Sequence, residues 1–200
     1  MTQTLTAATT NRHKAREIAE ILEPLGFTIR TPASLPDVVE DGDSFAANAR
    51  KKALACAAAL GESALADDSG LEVEALGGEP GVRSARYAGE GATGVDNNRL
   101  LVERLEALGL VDPEAAFVCH AVVAAPDGRV IAEAVGRVEG LIRWPPRGEQ
   151  GFGYDPVFFH EPSGATFAEL QPDAKNALSH RANALRALAD KLPAVRDRLD

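Results

Sequence analysis

Apolar residues recur along this chain at two periods, and the switches between them mark out strands and helices. Residues 4–8 can form a short strand; Thr9, Thr10 and Asn11 then break the pattern, and a helical period begins at about Arg12. Ala15, Ile18, Ile21, Leu22 and Leu25 fall on one face of that helix. A second strand is expected over 27–31, and the stretch containing Pro32, Pro36 and VVEDGD reads as a loop. Ser44 can cap a second helix, FAANARKKALACAAAL, which stops at Gly61 and whose alanines allow close approach to a sheet at high helix propensity. Short strands are expected at 64–66 and 71–76, flanking DDSG as the loop between them, with a turn cluster at 77–81. Leu100, Leu101, Leu105 and Leu108 mark a third helix over 95–108, closed by Gly109. AFVCHAVVAA and RVIAEAVGRVEG, joined by PDG, predict a hairpin whose first strand is apolar on both faces, as under covering helices. One last helix is expected from near Asp173 to just before Pro193, with Leu178, Ala182, Leu185, Leu188 and Leu192 on one face. Helices alternating with strands, and a β-rich second half, predict an α/β fold with a mixed sheet flanked by helices.

Length and composition narrow the reading. A chain of 200 residues suits one folding unit over 1–200, with one core or two lobes sharing a core. The formal net charge of -9, with no Lys/Arg-rich run to offset it, disfavours nucleic-acid binding. A small anionic substrate fits only if basic side chains converge in one cleft and a divalent cation neutralises the rest. Cys56 and Cys119 have no ligand-like spacing and read as buried thiols in a reducing compartment. His13, His120 and His160 show no zinc spacing. The start of the chain carries no signal-peptide pattern and no later stretch approaches a membrane span, so a cytoplasmic protein without membrane partners is expected.

Four stretches carry candidate chemistry. TTNRHK at 9–14 lies where a strand hands over to a helix, so its hydroxyls, the Asn11 amide and backbone N–H groups can face an anion, with Lys14 adding a full charge. Taken alone, the same residues read first as a helix cap followed by a solvated lysine. In DDSG at 67–70 the two carboxylates point in different directions, so one can hold a hard cation while its neighbour orients or deprotonates water. Two solvated acids in an Asx-type turn is the plainer alternative. GFGYDP at 151–156 interleaves glycines with Phe152 and Tyr154, letting backbone approach a ligand while an aromatic face stacks on it; a tight turn with two core aromatics fits as well. Trp144 reads as a packing or rim residue. Lys175, His180 and Arg181 gather at the last helix, where Arg181 suits a base carbonyl or a phosphate, although such a pair usually lies on a solvated face. Glu40 and Lys52, taken singly, read as surface charge.

Taken together, TTNRHKAREI, FAANARKKA, LADDSGLEVEALGGEPGVRSARYAG, GFGYDPVFF and ALSHRANAL, in this order, resemble the inosine/xanthosine triphosphate pyrophosphatase family over almost the whole chain. The resemblance implies an elongated mixed sheet, two lobes around a central nucleotide cleft, a homodimer, and magnesium-dependent hydrolysis of purine nucleoside triphosphates such as XTP, ITP and dITP to monophosphate and pyrophosphate. It also implies residue roles. Thr9, Thr10, Asn11, Arg12, His13, Lys14, Lys52 and Ser69 become phosphate-side contacts. Glu40 and Asp68 become the magnesium-binding carboxylates, with Asp68 also the catalytic base and Asp67 its support. Phe152, Gly153, Tyr154 and Asp155, with Lys175, His180 and Arg181, become nucleoside-binding positions. Two positions depart from the family pattern: Thr10 stands where a smaller residue is frequent, and Ala47 where a glutamate is frequent. An enzyme for other modified nucleotides and a non-catalytic nucleotide sensor are the rival readings; retention of both acids, Lys14 and Lys52 argues against the sensor.

Overall fold

The computed structural model describes residues 3–192. Strand β1 (Gln3–Ala7) leads into helix α1 (Arg12–Leu22) and strand β2 (Phe27–Arg30); α2 (Phe45–Leu60) precedes β3 (Ala64–Val73) and α3 (Gly94–Ala107). The long strands β4 (Glu114–Ala124) and β5 (Val130–Ile142) follow, then the short β6 (Phe158–His160) and β7 (Ala165–Thr166), and finally α4 (Pro172–Leu178) and α5 (His180–Lys191). The strands form one seven-stranded sheet in the order β2-β1-β3-β4-β5-β6-β7. Pairing is parallel on one side, with Gln3 opposite Phe27 and Thr6 opposite Ala64, and antiparallel on the other, with Leu141 opposite Phe159 and His160 opposite Ala165. The sheet is therefore mixed and flanked by helices, as the alternating pattern predicts.

The expected start of α1 and both expected ends of α2 are found, and α3 has a capping box that the pattern did not predict. The Asn11 side chain accepts from the N–H groups of His13 and Lys14, that of Ser44 from Ala47 N–H, and Gly61 ends α2 in the left-handed conformation. Thr93 and Asp96 form a reciprocal capping box on α3. Leu108 lies just beyond that helix and is exposed rather than packed with Leu101 and Leu105. Among the described residues no helix is long and apolar enough to cross a membrane.

The chain groups into two compact units: Met1–Asp68, Cys119–Gly136 and His180–Asp200 in the first, Ser69–Val118 and Arg137–Ser179 in the second. In the first, Leu5, Ile18, Leu22, Leu65, Leu185 and Leu188 form one cluster from strand, α1 and α5 side chains. A second cluster there is made almost wholly of small residues, Ala49, Ala53 and Ala57 of α2 against Ala64, Ala66 and Ala124, so the alanine-rich helix lies close upon its strands. Gly136 of β5 plays a similar part for α5: a Cβ there would lie 2.1 Å from the His180 carbonyl oxygen. The second unit has an aromatic core in which Phe117 stacks on Phe167, with Leu71, Leu101, Tyr154 and Phe158 around them.

Two expectations change. The two short strands flanking DDSG are one continuous strand: β3 runs from Ala64 through both acids and Gly70 to Val73. Asp, Ser and Gly are poor strand formers, but here tertiary partners decide. A Cβ at Gly70 would lie 2.3 Å from Ser84 Oγ, and that hydroxyl accepts from Leu71 N–H, so the glycine lets the 81–86 turn seat directly on the strand. The single last helix is two. Ser179 has extended backbone (φ -65, ψ 155), which ends α4 and restarts the helical phase at His180, so Leu178 leaves the face shared by Ala182, Leu185 and Leu188 and is exposed. The expected stop at Pro193 lies outside the described residues.

Candidate functional site

Alternation along β3 sends its two adjacent acids to opposite faces of the sheet, and this gives them opposite electrostatics. Asp67 faces α1 and α5. Its carboxylate pairs with Lys14 Nζ at 3.2 Å and Arg181 Nη2 at 3.1 Å, and Cys119 Sγ lies 3.8 Å from it. Arg181, only 1% exposed, also bonds Glu17 through Nη1. Burial pushes the Asp67 carboxyl up, but Lys14, Arg181 and Lys52 outweigh it and hold the group well below the usual carboxylate range. It stays ionised through the ordinary pH range, and burial beside it pushes the Cys119 thiol far up, leaving that sulfur protonated.

Asp68 faces α2. Asn48 Nδ2 donates to its Oδ2 at 3.2 Å, and Lys52 Nζ lies 3.2 Å from its Oδ1 and 3.1 Å from Glu40 Oε2. The Asn48 amide works at both ends: its Oδ1 accepts from Gly42 N–H at 2.8 Å, tying the loop that carries Glu40 to the helix. Burial raises the Asp68 pKa above its ordinary value against the pull of Lys52 and Lys14, with the charge on Glu40 pushing it further up. Lys52 is affected in the same network: burial works against its charge, but Asp68, Asp67 and Glu40 more than compensate and raise its pKa. The first unit thus joins four acids, Glu17, Glu40, Asp67 and Asp68, to three bases, Lys14, Lys52 and Arg181, through pairs of 3.2 Å or less.

The second unit builds the GFGYDP loop around Asp155. Its buried Oδ2 accepts from Phe152 N–H at 2.8 Å and from Lys175 Nζ at 2.7 Å, and that ammonium lies 4.9 Å from the centre of the Phe152 ring. Gly151 is required here, because its φ is +74° and a Cβ would lie 2.0 Å from Asp155 Oδ2. Tyr154 is a core aromatic; it is buried and its hydroxyl donates to the Ser84 carbonyl at 3.0 Å. Of the two rings in the motif, only Phe152 lies partly open.

Several sequence expectations are thereby sorted. Lys14 is not a solvated lysine, and DDSG is not a pair of solvated acids. Thr10 to His13 are exposed; Thr9 Oγ1 accepts from Asn11 N–H, and Asn11 serves as the cap of α1. Arg181 and His180 are buried rather than on a solvated face, and the guanidinium expected at a base is committed to Asp67 and Glu17. Ser69 is half-buried on β3, and Trp144 is half exposed, which fits a rim position. Four buried polar residues not singled out by the motifs make supporting bonds: in the first unit Glu17 to Arg181 and Asn48 to Asp68, in the second Asn97 to Ala85 and Ala88 and Asn98 to Gly153. Asparagine is a weak helix former, so three of them inside α2 and α3 are a signal that side-chain amides have work to do there.

Two adjacent acids whose pKa values are shifted in opposite directions, each paired with a lysine, thus lie together in the first unit. The Ham1 family matches residues 5–191. A dITP/XTP pyrophosphatase of Thermus thermophilus is 52% identical over 186 residues, 92% of this chain and 88% of its own. That of Geobacter sulfurreducens is 49% identical over 191 residues, covering 94% of this chain and 96% of its own. The solved HAM1 protein of Coxiella burnetii superimposes with a TM-score of 0.87 at 39% identity, covering 96% of this chain and 99% of that one. This chain belongs to the Ham1 family.

Proposed function

We infer that this protein is a nucleoside-triphosphate pyrophosphatase that hydrolyses noncanonical purine nucleotides such as XTP, ITP and dITP to monophosphate and pyrophosphate. The names of its relatives support the substrate class. The observation that carries the chemistry is the divergence of the two neighbouring acids, Asp67 held ionised and Asp68 pushed up by burial. In this reading Asp68 takes a proton from water as the water oxygen bonds to the α-phosphorus. The bond from that phosphorus to the bridging oxygen breaks, and pyrophosphate departs with its added charge met by Lys14 and Lys52. Asp67 does not exchange protons; it fixes Lys14.

The phosphate end is assigned to Thr9, Thr10, Asn11, Arg12, His13, Lys14, Lys52 and Ser69, and the nucleoside end to Phe152, Gly153, Asp155, Lys175 and His180. Tyr154 supports the loop from the core. Arg181, given its two carboxylate partners, is assigned to holding Asp67 rather than to reading the base.

The residues fit a divalent cation. Glu40 and Asp68 already share one cation, the Lys52 ammonium, through hard carboxylate oxygens, and four acids against three bases cannot neutralise a triphosphate unaided. Magnesium held by Glu40 and Asp68 would supply that charge. Among the described residues no three His, Cys, Asp or Glu side chains group as a metal site, and an ion that magnesium-type chemistry completes with phosphate oxygens and water needs only one or two carboxylates. A homodimer belongs to the same reading and rests on the family resemblance; a cytoplasmic location is proposed with it. A panel of nucleoside triphosphates assayed with Mg²⁺ present or chelated tests the assignment. Turnover of ITP and XTP well above ATP, lost on chelation, supports it, and equal turnover of all triphosphates would overturn the specificity.

A further inference from the structure

Asn97 and Asn98 stand side by side in the second turn of α3 and both are buried. Asn97 has a complete structural account. Its Oδ1 accepts from Ala88 N–H at 2.8 Å and its Nδ2 donates to the Ala85 carbonyl at 3.2 Å, so it ties the helix to the preceding turn. Asn98 is different. It is 6% exposed; its Nδ2 donates to the Gly153 carbonyl at 3.1 Å, while its Oδ1, out of reach of solvent, accepts no hydrogen bond among the described residues.

A buried acceptor without a donor is a cost that leucine, of similar size, would not carry. Nor does helix propensity favour asparagine over leucine at this position. Retaining the amide is sensible only if its donor half matters, and that half reaches the GFGYDP loop. Asp155 fixes the peptide preceding Phe152 and Asn98 fixes the peptide following Gly153, so the two bonds bracket these two residues. The start of α3 also lies against the loop: a Cβ at Gly94 would be 3.5 Å from the Gly153 carbonyl oxygen, while Gly153 has a φ of +64°. With no side chain of its own and a left-handed backbone, Gly153 depends on outside contacts to hold one conformation.

We propose that Asn98 is a positioning residue for the nucleoside end of the site, holding the Gly153 carbonyl so that Phe152 is presented in its binding conformation. This rests on the assignment of the GFGYDP loop to the nucleoside. The test replaces Asn98 by Asp, which keeps the shape and loses the donor, and by Leu, which also removes the unpaired acceptor. KM for ITP rises about tenfold in both, equivalent to about 1.4 kcal/mol, while kcat stays within about twofold and competitive inhibition by inorganic pyrophosphate is unchanged. The thermal midpoint of Asn98→Leu equals or exceeds that of the parent, so binding and stability move apart, which a residue needed only for folding would not produce. Unchanged KM in both variants overturns the proposal, as does weaker inhibition by pyrophosphate in step with KM. Phe152→Ala separates the two layers. If it raises KM and the Asn98 variants do not, only the positioning role fails; if it leaves KM unchanged, the nucleoside assignment fails and the positioning role with it.

Discussion

Replacing Asp67 by Asn should destabilise the fold substantially. The substitution keeps the size of the side chain but removes one full charge from a group that is 2% exposed and contacts two cations at 3.2 and 3.1 Å. Glu17 remains to Arg181, whereas Lys14 loses the carboxylate it pairs with. Breaking a buried pair by removing one partner typically costs about 3–5 kcal/mol. Against a total stability of about 5–15 kcal/mol, that is a substantial fraction. At roughly 2–4 °C per kcal/mol for a chain of this size, the midpoint should fall by about 6–20 °C. Urea unfolding followed by circular dichroism at pH 7 should show a lower midpoint with an unchanged slope, because the surface exposed on unfolding is the same. The pH dependence has a definite sign. The folded pKa of Asp67 lies below its ordinary value of 3.8, so its stabilisation is present above that value and lost only as pH falls below it towards the folded pKa. The parent and Asp67→Asn curves should therefore stay apart from neutral pH down to about pH 4 and converge only in stronger acid. An unchanged midpoint at pH 7 would refute the charge-pairing argument.

Asp68→Asn should do the reverse, losing roughly 10²-fold or more in kcat as a general base is removed while unfolding no more easily than the parent. Because burial raises the Asp68 pKa, its ionised form destabilises the fold as pH rises from 3.8 through the folded value; Asp68→Asn should abolish that dependence, readable in pH-dependent melting. The rate of the parent should fall in acid as Asp68 takes up its proton, and in Lys52→Gln this acid limb should move to higher pH, since the ammonium that favours the carboxylate is gone. A limb that stays in place would assign the titration to another group. Arg181→Ala should lower kcat/KM for ITP, XTP and ATP by one common factor and also lower the melting midpoint; a loss confined to ITP and XTP would return Arg181 to base reading.

Local signals make much of this molecule legible. Asn11, Ser44 and Gly61 act through their own backbone neighbours, so the ends of α1 and α2 follow from a few adjacent residues. DDSG reads as a loop because its residue types disfavour strands in isolation, while Lys14, Arg181, Asn48 and Lys52, which hold the two acids, arrive from α1, α5 and α2. The break at Ser179 is hidden for a related reason: apolar residues continue on both sides of it, and the helical period alone does not reveal a shift of phase. The family motifs name the residues of the site without showing what each touches. The adjacency of Asp67 and Asp68 already predicts that they point in different directions, but only a continuous β3 shows which partners each meets and that their pKa values shift in opposite directions. Arg181 shows the same limit, because its burial depends on Glu17, distant in the chain.

The central claim, that Asp68 directs water at the α-phosphorus so that pyrophosphate leaves, is tested most directly by hydrolysing ITP in ¹⁸O-enriched water and analysing both products by mass spectrometry. The account predicts one labelled oxygen in the inosine monophosphate and none in the pyrophosphate. Label in the pyrophosphate would place the attack on the β-phosphorus, and release of orthophosphate without pyrophosphate would contradict the reaction itself.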